Sequence, residues 1–350
     1  MSSSAPFAIV TGAAGWLGQG LVSALVRGLP DSPWANVDAA RVRALILPGQ
    51  DASTLRSLGP GIEVVEGDVR DPAACARLCQ DGAGSTVFHT AGVIHPRRVA
   101  EFYEINVDGT RNLMRAAREA GAQRAVVVSS NSQCGCNPRR DHLFDESSPY
   151  HPYMNYGRSK MLMEMAVKEV QASGALETVV VRAPWFYGPF QPPRQTLFLQ
   201  MIRDGKGPIV GDGNNLRSMA YIDNLSQGLL LAAKTASANG KIYWIADERP
   251  YTMNQIMDTV ERLLESEFGQ KCAHRRLRLP SIASDVAQFM DASIQSLGAY
   301  QQQLHVLSEM NKTIACSVAR AQSELNYRPM IALEEGMRRS IRWCLERGQL

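Results

Sequence analysis

The sequence predicts an α/β protein: a doubly wound parallel sheet with a smaller, mostly helical lobe toward the C-terminus. Three observations predict it. Up to about residue 185, short runs rich in Val and Ile alternate with helical stretches, the signature of right-handed β-α-β units. The first run, Phe7-Ala8-Ile9-Val10, passes through a glycine-rich turn into a helical pattern of Leu17, Leu21, Val22, Leu25 and Val26. At 350 residues, 45% of them hydrophobic, the chain is long enough for one large domain with a lobe attached. It carries no internal repeat and no low-complexity segment.

The turn reads Thr11-Gly12-Ala13-Ala14-Gly15-Trp16-Leu17-Gly18. Glycines permit a tight turn and close backbone approach, and the free amides at the start of the following helix suit a dinucleotide's pyrophosphate. Farther on, Tyr156 and Lys160 stand four residues apart, which on a helix puts a phenol and an ammonium on one face. Using a free tyrosine as a base at neutral pH costs about 4 kcal/mol. A neighbouring cation favours the phenolate, so the pair suggests proton transfer with a depressed tyrosine pKa.

The Gly-x-x-Gly-x-x-Gly spacing together with Tyr156 and Lys160 resembles the extended branch of the short-chain dehydrogenase/reductase superfamily, over nearly the whole chain. Within that branch it is similar to the NAD-dependent epimerase/dehydratase family and its 3β-hydroxysteroid-dehydrogenase-like members. The resemblance implies a Rossmann-type fold and orders the remaining elements. Residues 29–40 are a loop insertion ahead of a second strand, Arg41 to Leu47. Leu47 stands where the family carries its cofactor-discriminating residue; with no arginine just after the strand, NAD is favoured over NADP. Asp51 reads as a helix N-cap. The segment 61–71 resembles the third strand, with Asp68 and Val69 beside adenine. Val87 to Gly92 resembles the fourth strand and the small-residue turn, Thr90, Ala91 and Gly92, under the nicotinamide ribose. Asn106 matches the residue that steadies the central sheet. Ala125 to Ser130 resembles the fifth strand, ending in Ser129 and the catalytic serine. Ser130, five residues before Gly135 as in the family, is the assigned catalyst over Ser129 and Ser132.

The resemblance thus implies Ser130, Tyr156 and Lys160 as the catalytic set. Gly12, Gly15, Trp16, Leu17, Gly18 and Pro184 join the cofactor contacts. Tyr156 exchanges a proton with the substrate oxygen, Ser130 hydrogen-bonds that oxygen, and Lys160 holds the nicotinamide ribose. The dinucleotide-binding domain is expected over 1–185 plus about 215–246, and the substrate lobe over about 186–214 plus 247–350. After the sixth strand, Thr178 to Ala183, Trp185 and Tyr187 are expected to meet substrate. Trp185 stands where nucleotide-sugar epimerases carry an Asn on the substrate diphosphate, whereas Arg217 matches the Arg that grips it in sugar-nucleotide members; a structural salt bridge is its plain alternative. Asp223 or Asn224 should cap a helix beginning there.

In the lobe, Met253 to Phe268 reads as an amphipathic helix with Ile256, Val260, Leu263 and Leu264 inward. The stretch 282–307 places Val286, Phe289, Met290, Ile294 and Leu297 in lobe packing, an apolar substrate wall, or a face toward a membrane or partner. His274-Arg275-Arg276-Leu277-Arg278 reads as a solvated strand or loop edge, and the closing segment resembles the final lobe helix of hydroxysteroid-dehydrogenase-like members.

Thirty-seven basic against 34 acidic residues give a near balance, +3, which argues against nucleic acid as the main partner. No apolar run approaches the roughly 20 residues of a membrane span, and the N-terminus lacks a basic region before its apolar strand, so a soluble cytoplasmic protein is expected. Seven scattered cysteines read as reduced thiols, with Cys134 and Cys136 near Ser130; no metal is expected. A homodimer through the helices near 106–120 and 156–170 follows from the resemblance alone. The leading function is NAD(P)-dependent oxidation of a secondary alcohol or reduction of a ketone. The alternatives are a nucleotide-sugar epimerase using the same Ser-Tyr-Lys site and, from another class, a non-catalytic NAD(P)-sensing regulator. A dehydratase is disfavoured, because Ser130-Asn131-Ser132 replaces its Thr-Asp-Glu.

Overall fold

The computed structural model describes residues 6–37 and 41–350. Positions 38–40 of the expected insertion, and residues 1–5, lie outside it. Seven strands form the central sheet: β1 (Ala8–Thr11), β2 (Val42–Ile46), β3 (Ile62–Glu66), β4 (Thr86–His89), β5 (Arg124–Ser130), β6 (Glu177–Ala183) and β7 (Ile242–Trp244). They lie in the order β7-β6-β5-β4-β1-β2-β3, and every pair is parallel. Because β1 neighbours both β2 and β4, chain direction across the sheet reverses there, and a crevice opens at the C-terminal ends of those strands.

Alternate strand residues feed two cores, one on each face. Val10, Val126, Val179 and Val181 pack with Leu21 and Leu25 of helix α1 (Trp16–Arg27), whereas Ile9, Val127 and Val180 meet Leu113 and Met114 of α2 (Gly109–Glu119) and Met163 of α3 (Met154–Ala172). Each such fully buried Leu or Val contributes about 1.5–3 kcal/mol.

Beyond β6 the chain alternates between sheet and lobe through α4 (Pro193–Arg203), α5 (Ile222–Lys234), α6 (Met253–Ser266), α7 (Ile282–Ser296), α8 (Gln302–Glu309) and α9 (Leu333–Leu345). Short strand pairs stitch the lobe: Trp185–Tyr187 beside Met219–Tyr221, Pro208–Val210 beside Leu277–Leu279, and Leu216–Arg217 beside Tyr251–Thr252. As expected, α6 turns Ile256, Val260, Leu263 and Leu264 inward; it starts with a capping box between Thr252 and Gln255. The basic run around Arg276 lies along an exposed edge, where Arg276 pairs with Asp258 and Glu261 and His274 with Glu265.

Two expectations fail here. The expected cap of α5 is absent: its N-cap is Tyr221 with no side-chain bond, and Asn224 lies inside the helix, where its amide bonds Asp247 and the Ile331 carbonyl. The larger departure is α7. Its buried residues are Ser284, Ala287, Asp291 and Gln295, while Val286, Phe289, Met290 and Leu297 of that stretch are exposed. Only Ile294 of the expected stripe is half-buried, and the rest of it is turned out of the lobe. The reason is the polar pairing inside: Asp291 accepts from Gln295 at 2.9 Å and sits 2.8 Å from His305 on α8. No helix among the described residues is long and apolar enough to cross a membrane.

Candidate active site

The glycine turn leaves β1 at the sheet's switch point. Gly12 adopts φ +65°, and a Cβ there would stand 2.8 Å from the Ala91 backbone. At Gly18 a Cβ would lie 2.1 Å from the Gly12 carbonyl, so only hydrogen lets α1 close onto the turn. Gly15 caps α1 without a side-chain partner, leaving the first amides free for an anion. Ala91 is tied back to the turn, donating to the Thr11 hydroxyl at 3.3 Å, while the Thr90 hydroxyl donates to the Thr11 carbonyl at 2.7 Å. Leu17 is buried in the core, and the Trp16 indole N–H donates to the Pro189 carbonyl at 2.7 Å, joining α1 to the loop beyond β6. A cradle this shallow, lined by backbone that any Cβ would fill, fits a dinucleotide pyrophosphate. At the far end of the crevice Val69 is buried, Asp68 is paired with Arg70 at 2.6 Å, and Leu47 is exposed. Asp51 accepts from the Ser53 N–H at 2.8 Å, one residue ahead of the short helix's cap.

The next strands bring the expected catalytic residues together. Tyr156 and Lys160 occupy buried positions of α3, and Ser130 ends β5, its hydroxyl donating to the Ser132 hydroxyl at 3.4 Å and lying close enough to the Tyr156 phenol to lower its pKa. Ser129 points elsewhere, donating to buried Glu164 at 2.6 Å, which also holds Arg182 and Tyr150. Of the two adjacent serines, Ser130 is therefore the one directed at the phenol. Asn106 lies on a single π-helical turn, Glu104–Asp108, just before α2. Its side chain bonds both backbone groups of Val93 and reaches the Ser159 hydroxyl at 3.0 Å, so it ties the loop after β4 to α3. Pro184 is buried directly after β6.

The electrostatics differ from expectation at one point. Burial pushes the Tyr156 phenol up to about 12; the Ser130 hydroxyl and the charge of Arg194 pull it down, and Glu309 pushes it up. Lys160 does not supply the depression. Its ammonium turns to the Val128 carbonyl at 3.1 Å and abuts Gly92, where a Cβ would come within 3.4 Å, and burial lowers its own pKa to about 8. Lys160 thus faces the position expected for the ribose rather than the phenol.

On the lobe side the expectations divide. Trp185 is half-buried, donates to Gln195 at 3.2 Å and meets Phe198 edge-on. Tyr187, expected to meet substrate, is fully buried and donates to Asp247 at 2.8 Å, so it is withdrawn from the cleft. Arg217 donates to the Glu309 carbonyl at 3.3 Å and forms no ion pair among the described residues, which removes its salt-bridge alternative. Cys134 and Cys136 are thiols driven up to about 11 and 12 by burial; Cys136 lies within the electrostatic reach of Arg217 and Glu309.

Four residues of the cleft went unforeseen. His95 and Tyr300 share a 2.7 Å hydrogen bond, and Phe102 packs against both Tyr300 and Tyr156. Arg194, in the first turn of α4, makes no hydrogen bond or ion pair with the described residues, yet its charge reaches Tyr156, Tyr300 and His95. Burial, then Arg194, depress His95 to about 3, so it is neutral at physiological pH. In sequence, only the position of His95 three residues beyond the Thr90-Ala91-Gly92 turn hinted at a site.

Comparison with known proteins agrees with this geometry. A protein of Sinorhizobium fredii, uncharacterized protein y4nL, is 51% identical over 347 residues, covering 99% of this chain and 97% of that one. The Escherichia coli O157:H7 N-acetyl-alpha-D-glucosaminyl-diphospho-ditrans,octacis-undecaprenol 4-epimerase is 30% identical over 207 residues, 58% of this chain and 61% of its own. Among solved structures, Streptomyces venezuelae DesIV, a dTDP-glucose 4,6-dehydratase with NAD and TYD bound, superimposes with a TM-score of 0.75 at 26% identity, covering 97% of this chain and 98% of that one. The sequence model of the NAD dependent epimerase/dehydratase family matches residues 8–246, from the first strand of the sheet to just past the last. With the glycine turn, the parallel seven-stranded sheet and the Ser-Tyr-Lys grouping in place, this chain belongs to that enzyme family, of the extended short-chain dehydrogenase/reductase type.

Proposed function

We propose that the protein is an NAD-dependent epimerase acting on a carbinol carbon of a sugar carried on a diphosphate. One observation carries this: the Tyr156 phenol, beside Ser130, faces a lobe that offers two cationic side chains without acidic partners, Arg194 and Arg217, over a polar wall. An apolar alcohol gives two unneutralised guanidinium groups nothing to bind; a diphosphate sugar does. The polar inner face of α7 also removes the apolar wall that would have favoured a steroid-like substrate. Of the relatives above, one acts on a diphospho-linked amino sugar and another holds NAD together with TYD.

When bound, NAD supplies the hydride acceptor, and later the donor. Gly12, Gly15 and Gly18 with the free amides of α1 would hold its pyrophosphate, Lys160 beside Gly92 its nicotinamide ribose, and Pro184 would help bound the nicotinamide end of the crevice. Leu47, exposed and without a following arginine, favours NAD over NADP. Tyr156 takes the proton of the carbinol oxygen as hydride leaves its carbon, and Ser130 hydrogen-bonds that oxygen. Tyr156 would give the proton back to the same oxygen when the centre re-forms with inverted configuration, and Ser130 would hold that oxygen throughout.

The test is incubation of purified protein and NAD with UDP- and dTDP-linked sugars. Epimer formation without accumulation of reduced nicotinamide is expected, and Tyr156→Phe should lower turnover about 100-fold or more while leaving NAD binding intact. Net reduction of NAD by a secondary alcohol would instead identify a dehydrogenase. That second reading rests on Trp185 in place of the Asn of sugar-nucleotide members.

A further inference from the structure

Helix α3, which carries Tyr156, starts without a cap of its own. Its N-cap residue, Tyr153, gives the first amides no side-chain acceptor. Met154 after it holds φ +52°, a left-handed conformation that a residue with a side chain keeps only where its surroundings enforce it. On the sheet side the helix start is held by the loop that follows Ser130. The Tyr153 N–H donates to the Ser132 carbonyl at 2.9 Å, and a Cβ at Gly157 would come within 2.2 Å of that carbonyl.

The cap comes from α7. The Gln295 side-chain oxygen accepts from the Asn155 N–H at 3.3 Å, one of the amides that a helix start leaves free, and from the Asn155 side-chain amide at 2.9 Å. Behind Gln295 stands Asp291, which accepts from the Gln295 amide at 2.9 Å and lies 2.8 Å from His305 Nδ1. That pairing fixes which end of the amide faces α3, because a carboxylate accepts only from the nitrogen. A second tether runs from α8, where the Ser308 hydroxyl accepts from the Tyr153 phenol at 2.8 Å. The Tyr103 phenol donates to the Asn155 side-chain oxygen at 2.6 Å. Asp291, Gln295, His305 and Ser308 are all buried. Packing alone does not call for them: the apolar stripe of the same helix could fill that space without taking a carboxylate out of water, yet the stripe faces out.

We propose that Gln295 is a positioning residue for Tyr156: by capping α3 from α7 it fixes the helix start one residue before the phenol, and so sets the phenol's place relative to Ser130 and the substrate oxygen. This role rests on Tyr156 being the acid/base of the reaction. Its effect is geometric. Proton transfer needs the phenol oxygen within hydrogen-bond reach of the substrate, and a misplacement of about 1 Å costs about 100-fold in rate. The glycine turn and the two arginines, to which the cofactor and the diphosphate are assigned, are not among the hydrogen-bond partners of Gln295, so the effect belongs to kcat.

Steady-state kinetics of the full chain with NAD and the UDP- or dTDP-linked sugar it converts, beside amide hydrogen exchange, tests this. Gln295→Met keeps the length of the side chain and removes the cap. It should lower kcat about tenfold or more, with KM and the Kd for NAD within about twofold of the unaltered protein. Exchange of the amides at 153–157 should quicken about fivefold or more. Ser284→Ala is the control: Ser284 lies on the same buried face of α7, but its hydroxyl donates to the Leu307 carbonyl at 2.8 Å and makes no bond to α3 among the described residues. Its kcat and its exchange at 153–157 should be native. Should Gln295→Met fail to fold, Tyr153→Phe decides, since it keeps the ring, removes the tether to Ser308 and should lower kcat about threefold or more. Native kcat in a folded Gln295→Met, or in Tyr153→Phe where Gln295→Met does not fold, would overturn the proposal, as would a loss of kcat that Ser284→Ala shares. Tyr156→Phe separates the two ideas: if it keeps its turnover, the acid/base reading falls whatever Gln295→Met does.

Discussion

An ammonium enclosed by protein loses hydration that the Val128 carbonyl and the Met163 sulfur replace poorly, and burial accordingly lowers Lys160 to about 8, with Glu164 offsetting part of the loss. The folded state gives up this proton more readily than the unfolded chain, whose lysine keeps it to about 10.5. Between those values the unfolded chain binds more protons, so stability rises with pH across that window, and below about 8 the cost is fully present. Lys160→Met should therefore raise the Tm of the cofactor-free protein at pH 7, flatten its rise above pH 8 and abolish turnover; calorimetry across pH beside an activity assay checks all three. The two arginines make the opposite kind of contribution, doing little for stability and much for affinity. Hydrogen bonds to a charged phosphate are worth about 1.5–3 kcal/mol. Arg217→Ala should thus raise KM for a nucleotide-linked sugar about 10- to 100-fold with Tm unchanged. Arg194→Ala should also lower kcat, since its charge reaches the Tyr156 phenol. Steady-state kinetics separates the two effects.

Elements differ in how plainly the sequence discloses them, and the reason is whether their instructions are local. The strand, glycine turn and helix at residues 8–27 are one continuous piece in which Gly15 and Gly18 answer contacts only a few residues away, although Gly12 answers the Ala91 backbone, so the turn is legible. Gly18→Ala tests that directly. Its Cβ would lie 2.1 Å from the Gly12 carbonyl and 2.7 Å from Ala13, backbone atoms that cannot swing aside. The expected outcome is loss of most NAD affinity by titration calorimetry together with a lowered Tm. Tyr156 and Lys160 were legible for the same reason, being one turn apart on one helix. Helix α7 was not. Its hydrophobic period fixes a stripe and not the direction it faces, and here buried Asp291, Gln295 and His305 take the inside by bonding one another. Nor was the cluster of His95, Arg194 and Tyr300, because its members come from three distant segments that only the folded lobe assembles. Local chemistry misled at α5 for a related reason: Asn224 looks like a cap in sequence, but tertiary partners at Asp247 and Ile331 claim its amide.

The molecule as a whole depends on how firmly the elements beyond β6 are held against the sheet, since Arg194 and Arg217 stand on α4 and on the short strand Leu216–Arg217, whereas Ser130, Tyr156 and Lys160 stand on β5 and α3. Asp247, three residues beyond β7, is the joint. It is buried and accepts from the Tyr187 and Tyr251 hydroxyls at 2.8 and 3.3 Å, the Tyr221 N–H at 3.0 Å and the Asn224 amide at 2.9 Å. Tyr251 in turn receives the Leu333 N–H at the start of α9, and Tyr187 and Tyr221 lie on the paired strands that carry the chain out of the cofactor side and back. Four donors around one carboxylate make its removal expensive: Asp247→Ala leaves them buried without a partner, at about 1–3 kcal/mol for each that finds none. A fall in Tm of roughly 5–15 °C follows at the slope expected for a chain of this size. Burial raises the Asp247 pKa to about 6 against 3.8 when unfolded, so the folded state holds the proton more tightly. Its contribution to stability therefore declines as pH rises between those values and is constant above about 6. Asp247→Asn, which cannot ionise, should lose that decline and change Tm less than the alanine variant does. If the joint also sets the distance between the two halves of the cleft, Asp247→Asn will raise KM for the diphosphate sugar more than it lowers kcat, because ground-state grip depends on the lobe while proton transfer depends on Ser130 and Tyr156. A variant with altered Tm but native KM would confine Asp247 to holding the fold together.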